Sequence, residues 1–182
     1  MGISLVAYLC DVEALQQVCG AADVTLETQL FETLEDDGKW DDDDVRRALH
    51  DIVFGIQQDA LLPRDYAAAL EILCIHFGEQ LDSDAFDSMH TAATSLLPNF
   101  DGLLNANPIP LPIPTGQSDG PPTIYHINSR EAQRILERLL TEPQPKTTDP
   151  LGQEWIAEAF QDYRQWLTKA CETSQDLFIF LY

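Results

Sequence analysis

The chain has 182 residues, 45% of them hydrophobic and 9% aromatic, which suffices for one folded domain without disulfide or metal cross-links. Its 31 acidic and 10 basic side chains give a formal net charge of −21, and this excludes direct nucleic-acid binding because phosphate contacts require a basic surface. The apolar runs fall far short of the roughly 20 residues that a membrane-spanning helix needs, so we expect no membrane association.

The chain opens on an apolar, β-branched run, residues 3–9, that predicts a buried strand rather than a signal peptide. The run lacks the basic residues and the small-residue cleavage site that a signal peptide carries. The four cysteines are scattered without CxxC spacing, which is typical of reduced thiols inside the cell. We therefore expect a cytoplasmic protein without disulfides.

The first half of the chain is predicted to be mostly helical, because apolar residues recur there at spacings of three and four. Acidic N-caps, glycine stops and one proline in a first turn mark the ends of these helices. The five predicted helices cover residues 11–20, 23–35, 41–55, 63–81 and 84–97.

A proline-rich segment follows at about residues 98–122. Its alternation of proline with Ile109, Leu111 and Ile113 excludes helix and central strand and favours an extended course. Those aliphatic side chains would be wasted in a flexible linker, so we expect an ordered crossover within one domain. A hinge between two domains and docking to an SH3-like partner are the alternatives.

The last third predicts a short strand at residues 123–127, a helix capped by Asn128 or Ser129, a long helix that ends before Asp176, and a closing strand. This closing strand, residues 177–182, is almost wholly apolar and must therefore be central or covered. We expect it to pair near the N-terminal strand. The predicted fold class is α+β, a helix-rich single domain spanning residues 1–182 around a small sheet that includes both terminal strands.

The acidic side chains gather in the first half, where residues 1–100 hold 20 acidic and 4 basic side chains. The density peaks at residues 35–44, which hold seven acids and one lysine. Carboxylates at positions 41–44 suit a helix N-terminus, but one or two suffice for capping. The surplus serves either solubility or a basic partner. The candidate partner-binding residues are Glu35, Asp36, Asp37, Trp40, Asp41, Asp42, Asp43 and Asp44.

Trp40 lies within this acidic run, where it either anchors an interface or folds back on the following helix. The acids lack the order of an EF-hand loop, so the run predicts no dedicated calcium site.

No phosphate-binding glycine loop, nucleophile elbow, HExxH motif or Cys/His cluster is present in the sequence. We therefore predict no catalytic residue, no metal ligand and no cofactor. Tyr125 and His126, in the strand that follows the proline-rich segment, form an alternative ligand site, because loops beside strands often carry binding residues. The competing interpretation of His126 is a structural histidine held by a hydrogen-bond partner.

Several segments carry a family resemblance, and each is a pattern of apolar positions rather than a catalytic signature. They are MGISLVAYL (1–9) with DVEAL (11–15), VRRALHDIVFG (45–55), PLPIP (110–114) leading to YHI (125–127), the strand and helix at 124–140, and the helix around FQDY (160–163) with its final strand. The chain resembles the YfbM-like family of uncharacterised bacterial proteins over nearly its full length. That family has a tryptophan in the helix matching residues 45–55, which this chain lacks, so the resemblance implies a divergent branch. It also implies an α+β fold with the terminal strands in one sheet, and no established activity.

Three functions are compatible with these features. The first is a protein-binding or inhibitory module of immunity type, whose acidic face captures a basic protein such as a toxin. The alternative is a small-molecule-binding or metal-binding enzyme with a cleft near the proline-rich crossover. The third is an interaction module whose acidity serves only solubility. The absence of catalytic motifs favours the first over an enzyme, and the sequence does not predict the oligomeric state.

Overall fold

The computed structural model describes residues 5–39, 42–57, 61–83, 109–114, 122–141 and 150–182. Six helices and four strands lie within these ranges. In chain order they are β1 (Leu5–Cys10), α1 (Val12–Val18), α2 (Val24–Asp37), α3 (Asp43–Phe54), α4 (Pro63–Phe77), β2 (Glu79–Leu81), β3 (Thr123–Ile127), α5 (Ser129–Thr141), α6 (Pro150–Thr173) and β4 (Asp176–Leu181). None of these helices is both long enough and apolar enough to cross a membrane.

The four strands form one antiparallel sheet in the order β2-β1-β4-β3. The N-terminal strand β1 and the C-terminal strand β4 are the two central strands, paired from Leu5 with Leu181 to Cys10 with Asp176. This arrangement confirms the predicted fold class, a helix-rich α+β domain around a small sheet that contains both terminal strands.

Helices cover both faces of the sheet. Because successive side chains of a strand point to opposite faces, Leu177 and Ile179 pack on the side of α5 and α6, whereas Phe178 and Phe180 pack on the side of α1 to α4. All four side chains are buried. A strand covered on both faces has no position that favours a polar residue, which explains why β4 is apolar from Leu177 to Leu181.

The predicted cap residues are in place at most helix starts. Asp11, Asp23 and Asp42 accept backbone N–H groups at the N-termini of α1, α2 and α3. Of the two candidates for α5, Asn128 is the cap, because its Oδ1 accepts the N–H of Glu131 at 3.0 Å. Helix α2 extends to Asp37, two residues beyond its predicted end.

The helix predicted at residues 63–81 is wrong at its C-terminal end. It stops at Phe77, and residues 79–81 form strand β2, which pairs with β1. A Cβ at Gly78 would lie 2.4 Å from Cys10 Sγ and 2.7 Å from the Leu9 carbonyl oxygen. Only glycine lets the chain pass β1 this closely, and the apolar spacing of the sequence contains no signal of that approach.

The predicted helix at residues 84–97 and most of the proline-rich crossover lie outside the described residues. Of the crossover, residues 109–114 are described, and Leu111 and Ile113 are buried against the core formed by α1 to α4.

Candidate functional site

The acidic run forms the connection between α2 and α3. Its described carboxylates are Glu35, Asp36, Asp37, Asp42, Asp43 and Asp44, here called the acidic turn. Trp40 and Asp41 lie outside the described residues, so their predicted roles stay predictions. The carboxylates fall into two groups with opposite electrostatic relations to their helices.

The second half of the acidic turn stabilises α3. Asp42 is the N-cap and its Oδ1 accepts the N–H of Asp44 at 2.9 Å, while Asp43 and Asp44 occupy the first turn. Asp44 also forms an ion pair with Arg47 at 2.8 Å. Carboxylates here complement the positive end of the helix dipole, so these three aspartates have a structural explanation.

The first half of the acidic turn lies at the wrong end of its helix. Glu35, Asp36 and Asp37 occupy the last turn of α2, which contains no basic residue. A helix C-terminus already carries partial negative charge, so each exposed carboxylate there costs about 0.3–1 kcal/mol. Glu35 is compensated by an ion pair with Arg46 at 3.0 Å. Asp36 and Asp37 are exposed and form no ion pair among the described residues.

The single lysine of the run pairs with a carboxylate that lies outside it. The ammonium group of Lys39 lies 3.3 Å from both carboxylate oxygens of Glu71 and 3.4 Å from the ring centroid of Tyr182. Glu71 belongs to α4 and is 1% exposed. The Lys39 ammonium is therefore paired with a buried carboxylate outside the acidic turn, although the lysine side chain itself is 38% exposed.

Glu71 is the centre of a buried polar cluster that the sequence analysis missed. Its carboxylate accepts the hydroxyl of Tyr8 at 3.2 Å and the hydroxyl of Tyr182, in addition to the Lys39 ammonium. The only sequence signal was a charged residue inside the apolar stripe of α4, where a glutamate must be paired to be tolerated.

The two tyrosines of this cluster are hydrogen-bond donors and not bases. Burial, reinforced by the nearby charge of Glu71, raises the pKa of the Tyr8 and Tyr182 hydroxyls far above the ordinary tyrosine value. Burial also raises the pKa of Tyr163, on α6 in the opposite core, with a smaller contribution from Glu131. All three hydroxyls therefore stay protonated at neutral pH, and the Glu71 cluster holds elements together rather than activating a nucleophile.

These raised pKa values predict a loss of stability in alkali. An unfolded tyrosine ionises near pH 10, whereas Tyr8, Tyr163 and Tyr182 resist ionisation when folded, so their contribution is complete below pH 10 and falls as the pH rises further. The free energy of unfolding should decrease by about 1.4 kcal/mol per pH unit for each such tyrosine. Urea unfolding between pH 9 and pH 11.5, with tyrosinate absorbance recorded in parallel, measures this slope.

Tyr163→Phe is the control, because it removes one tyrosine without affecting Glu71. It should reduce the pH dependence of the unfolding free energy by about 1.4 kcal/mol per pH unit. Titration of all five tyrosines near pH 10 in the folded protein would contradict the prediction.

The structure separates Tyr125 from His126. His126 is buried on the face of α1 to α4, with Nε2 2.7 Å from Asp176 Oδ2 and its ring against Phe178. The other oxygen of Asp176 accepts the N–H of Ser129, and His126 Nδ1 has no partner among the described residues. Tyr125 packs against the core on the opposite face. Adjacent strand residues cannot line one cleft, so the geometry favours a structural role for His126.

The described residues form at least two concave regions. A groove of about 630 Å³ runs along the exposed face of α6, lined within the described ranges by that helix alone. A smaller cavity of about 220 Å³ lies between α1, α3, α4 and the described part of the proline-rich crossover. Within those same ranges, no group of three or more His, Cys, Asp or Glu side chains is arranged to hold a metal ion.

Fold and site together define a helix-covered α+β domain with a strongly negative helix connection and a buried carboxylate cluster that carries no activated nucleophile. The family described as Domain of unknown function (DUF7691) matches residues 1–182, so the chain belongs to this family. No curated protein and no solved structure matches the chain. The YfbM-like resemblance stays a prediction.

Proposed function

We propose that the protein is a binding or inhibitory module of immunity type, which captures a basic protein, such as a toxin, through its acidic turn. The observation that carries the proposal is the position of Asp36 and Asp37 in the last turn of α2. Two exposed carboxylates at a helix C-terminus oppose the helix dipole, and the hydrogen bond from the Lys39 N–H to Asp37 Oδ2 offsets this cost only at Asp37. Charges that are kept at a cost in stability are typical of binding surfaces.

The orientation of Lys39 supports the same proposal. This lysine is the nearest cation in sequence to Asp36 and Asp37, yet its ammonium group pairs with buried Glu71. Pairing with Asp36 or Asp37 would have lowered the surface charge of the acidic turn. The pairing of Lys39 with Glu71 supports the interpretation that the carboxylates of Asp36 and Asp37 serve a partner.

The net charge of −21 extends the attraction beyond the contact itself. A negative field of this strength steers a basic protein toward the acidic turn and raises its association rate, and salt screens the effect. Binding should therefore weaken steeply as the salt concentration rises.

The double variant Asp36→Lys, Asp37→Lys tests the proposal. Basic proteins captured from the native lysate by the unmodified chain are identified, and the affinity of the purified partner is measured by interferometry at low and high salt. We expect the variant to bind at least about tenfold more weakly. We also expect its free energy of unfolding to rise by roughly 1–4 kcal/mol at low salt, because two unfavourable carboxylates are removed and two lysines complement the helix end, less the hydrogen bond that Asp37 accepts from the Lys39 N–H.

The matched control is Glu158→Lys, Glu172→Lys, which changes the net charge equally on the exposed face of α6, with Glu172 also in a last helical turn. It should lose no more than about threefold in affinity. Equal losses in both variants would show that net charge alone acts, and a lack of any salt-sensitive basic partner would leave solubility as the role of the acids.

A further inference from the structure

Helix α5 differs in charge from the other described helices. It carries three arginines against two glutamates, whereas each of the other five described helices has more acidic than basic residues. Its arginines, Arg130, Arg134 and Arg138, recur every four residues and are exposed. Residues four apart are neighbours on a helix surface, so the three form one positive stripe, here called the arginine stripe.

Two arginines of the stripe lack a counter-charge. Arg130 and Arg134 form no ion pair within the described part of the chain, although the sequence holds 31 acidic side chains against 10 basic ones. Glu137 is exposed on the same helix, but its Oε1 accepts the side-chain amide of Gln133 at 3.3 Å. Arg130 also lies in the first turn of α5, where a cation opposes the helix dipole. No described contact therefore explains these two charges.

Helix α2 presents the complementary charges. It contains five acidic residues and no basic residue. Glu32 and Asp36 are exposed, and neither forms an ion pair with any residue that the structure describes. Because four residues advance a helix by about 6 Å, these two carboxylates have the same axial spacing as Arg130 and Arg134.

An antiparallel pairing of α2 with α5 compensates both helix ends. It places Asp36, in the last turn of α2, beside Arg130, in the first turn of α5. Glu32 then lies beside Arg134. Asp36 and Arg130 each oppose the dipole of their own helix, so each gains from a neighbour of opposite charge.

The same pairing brings together two exposed apolar side chains. Val24, at the start of α2, is 63% exposed, and Leu140, near the end of α5, is 60% exposed. With Asp36 opposite Arg130, the two lie within about 3 Å of each other along the helix axes. At about 100° per residue they also fall on the same flank of the helix pair. The contact therefore combines complementary charge at one end with apolar surface at the other.

We propose that a second copy of this chain docks through these two helices, with the arginine stripe of one copy lying antiparallel on Glu32 and Asp36 of the other. Within one chain, α2 packs on the opposite face of the sheet from α5. The contact joins two different surfaces, so copies add head to tail. A single helix pair falls at the small end of interface sizes, below about 1,200 Å², and the association is weak and reversible.

The net charge of −21 gives this association a distinctive salt dependence. At about 0.01 M salt the Debye length is about 30 Å and whole chains repel one another, whereas at about 0.15 M it is about 8 Å and the repulsion is screened more than the contact charges are. Association should therefore be strongest near 0.15 M and weaken again toward 1 M. The proposal does not rest on the capture of a toxin, but a second copy covers Asp36, so the two partners exclude one another.

Sedimentation equilibrium of the full chain, with no other protein present, tests the proposal. At about 0.15 M salt we expect the weight-average mass to rise with concentration, with a Kd on the order of 0.1–1 mM. The charge reversals Arg130→Glu, Arg134→Glu and Glu32→Arg, Asp36→Arg should each weaken self-association about tenfold or more. An equimolar mixture of the two variants should associate again, because each reversed helix then meets its complement.

The matched control is Arg64→Glu, Arg164→Glu, which changes the net charge as Arg130→Glu, Arg134→Glu does but at exposed positions of α4 and α6. It should change the Kd by no more than about threefold. Equal weakening in the control, or a mixture as weak as its two components, would overturn the proposal.

Dilution of the unmodified chain, followed by amide NMR, needs no variant to fold. The shifts should cluster on both α2 and α5, and shifts on one of these helices alone would contradict the pairing. A chain that stays monomeric up to about 1 mM at every salt concentration would overturn the proposal and leave the arginine stripe to an acidic partner of another kind.

Discussion

Glu71→Ala is expected to lower the free energy of unfolding by about 3–5 kcal/mol, the usual cost of removing one partner from a buried charged cluster. The substitution leaves the Tyr8 and Tyr182 hydroxyls without their acceptor and the Lys39 ammonium without its counter-charge. The loss should appear in urea denaturation at pH 7, followed by circular dichroism, as a lower midpoint with an unchanged slope.

Two controls separate the charge from the hydrogen bonds. Glu71→Gln keeps the size and an acceptor oxygen but removes the charge, so we expect a smaller loss of about 1–3 kcal/mol. Glu32→Ala removes an exposed glutamate of α2 and should change stability by no more than about 0.5 kcal/mol. If Glu71→Ala behaves like Glu32→Ala, the cluster does not hold α4 against β1 and the chain end.

The Glu71 cluster also bears on the acidic turn. In Glu71→Gln the ammonium group of Lys39 loses its buried counter-charge, which favours pairing with nearby surface carboxylates such as Asp37, whose Oδ2 already accepts the Lys39 backbone N–H. We therefore expect Glu71→Gln to weaken the proposed capture of a basic protein although position 71 is buried.

Gly78→Ala should destabilise the protein by about 3 kcal/mol, at the upper end of the cost of overpacking a core. Its Cβ would meet Cys10 Sγ at 2.4 Å, the Cys74 carbonyl oxygen at 2.6 Å and the Leu9 carbonyl oxygen at 2.7 Å. The two carbonyl oxygens belong to the backbones of α4 and β1, so relief requires one of those elements to move. Thermal or urea unfolding measures the loss.

Gly38→Ala is the matched control, because at Gly38 a side chain meets an unfavourable backbone conformation, whereas at Gly78 it meets a lack of space. Gly38 has a left-handed φ of 65°, but the nearest atom to its Cβ is the Glu35 carbonyl oxygen at 3.9 Å. The cost there is backbone strain alone, about 1–2 kcal/mol. Cys10→Ala should rescue part of the loss in Gly78→Ala and none in Gly38→Ala. Equal costs without rescue would show that β1 and α4 are less closely packed than described.

Much of the local structure follows from the sequence because its causes are local. The caps Asp11, Asp23 and Asp42 act on N–H groups two or three residues away, and the apolar character of β4 reports that it is covered on both faces. The acidic run could also be recognised in the sequence, because its residues are neighbours along the chain. Where its carboxylates lie relative to the helix dipoles depended on the end of α2 at Asp37, two residues beyond the predicted end.

The remaining features depend on contacts between distant parts of the chain. Glu71 and Tyr182 are 111 positions apart and meet because β4 lies beside β1 in the centre of the sheet. The opposite faces of Tyr125 and His126 follow from the register of β3 with β4. The spacing of apolar residues along the sequence does not predict contacts between such distant residues.

Composition, capping and side-chain alternation are properties of neighbouring residues, so they suffice to predict a strongly acidic, helix-rich α+β domain with apolar terminal strands. Three features required the packed fold: the pairing of the Lys39 ammonium with Glu71, the end of α4 at Gly78 that allows β2 to form, and the position of Asp51 beside a cavity. Each of these features depends on a backbone segment or a charge that a distant part of the chain brings next to the residue. Burial then determines how much free energy that contact gains or costs.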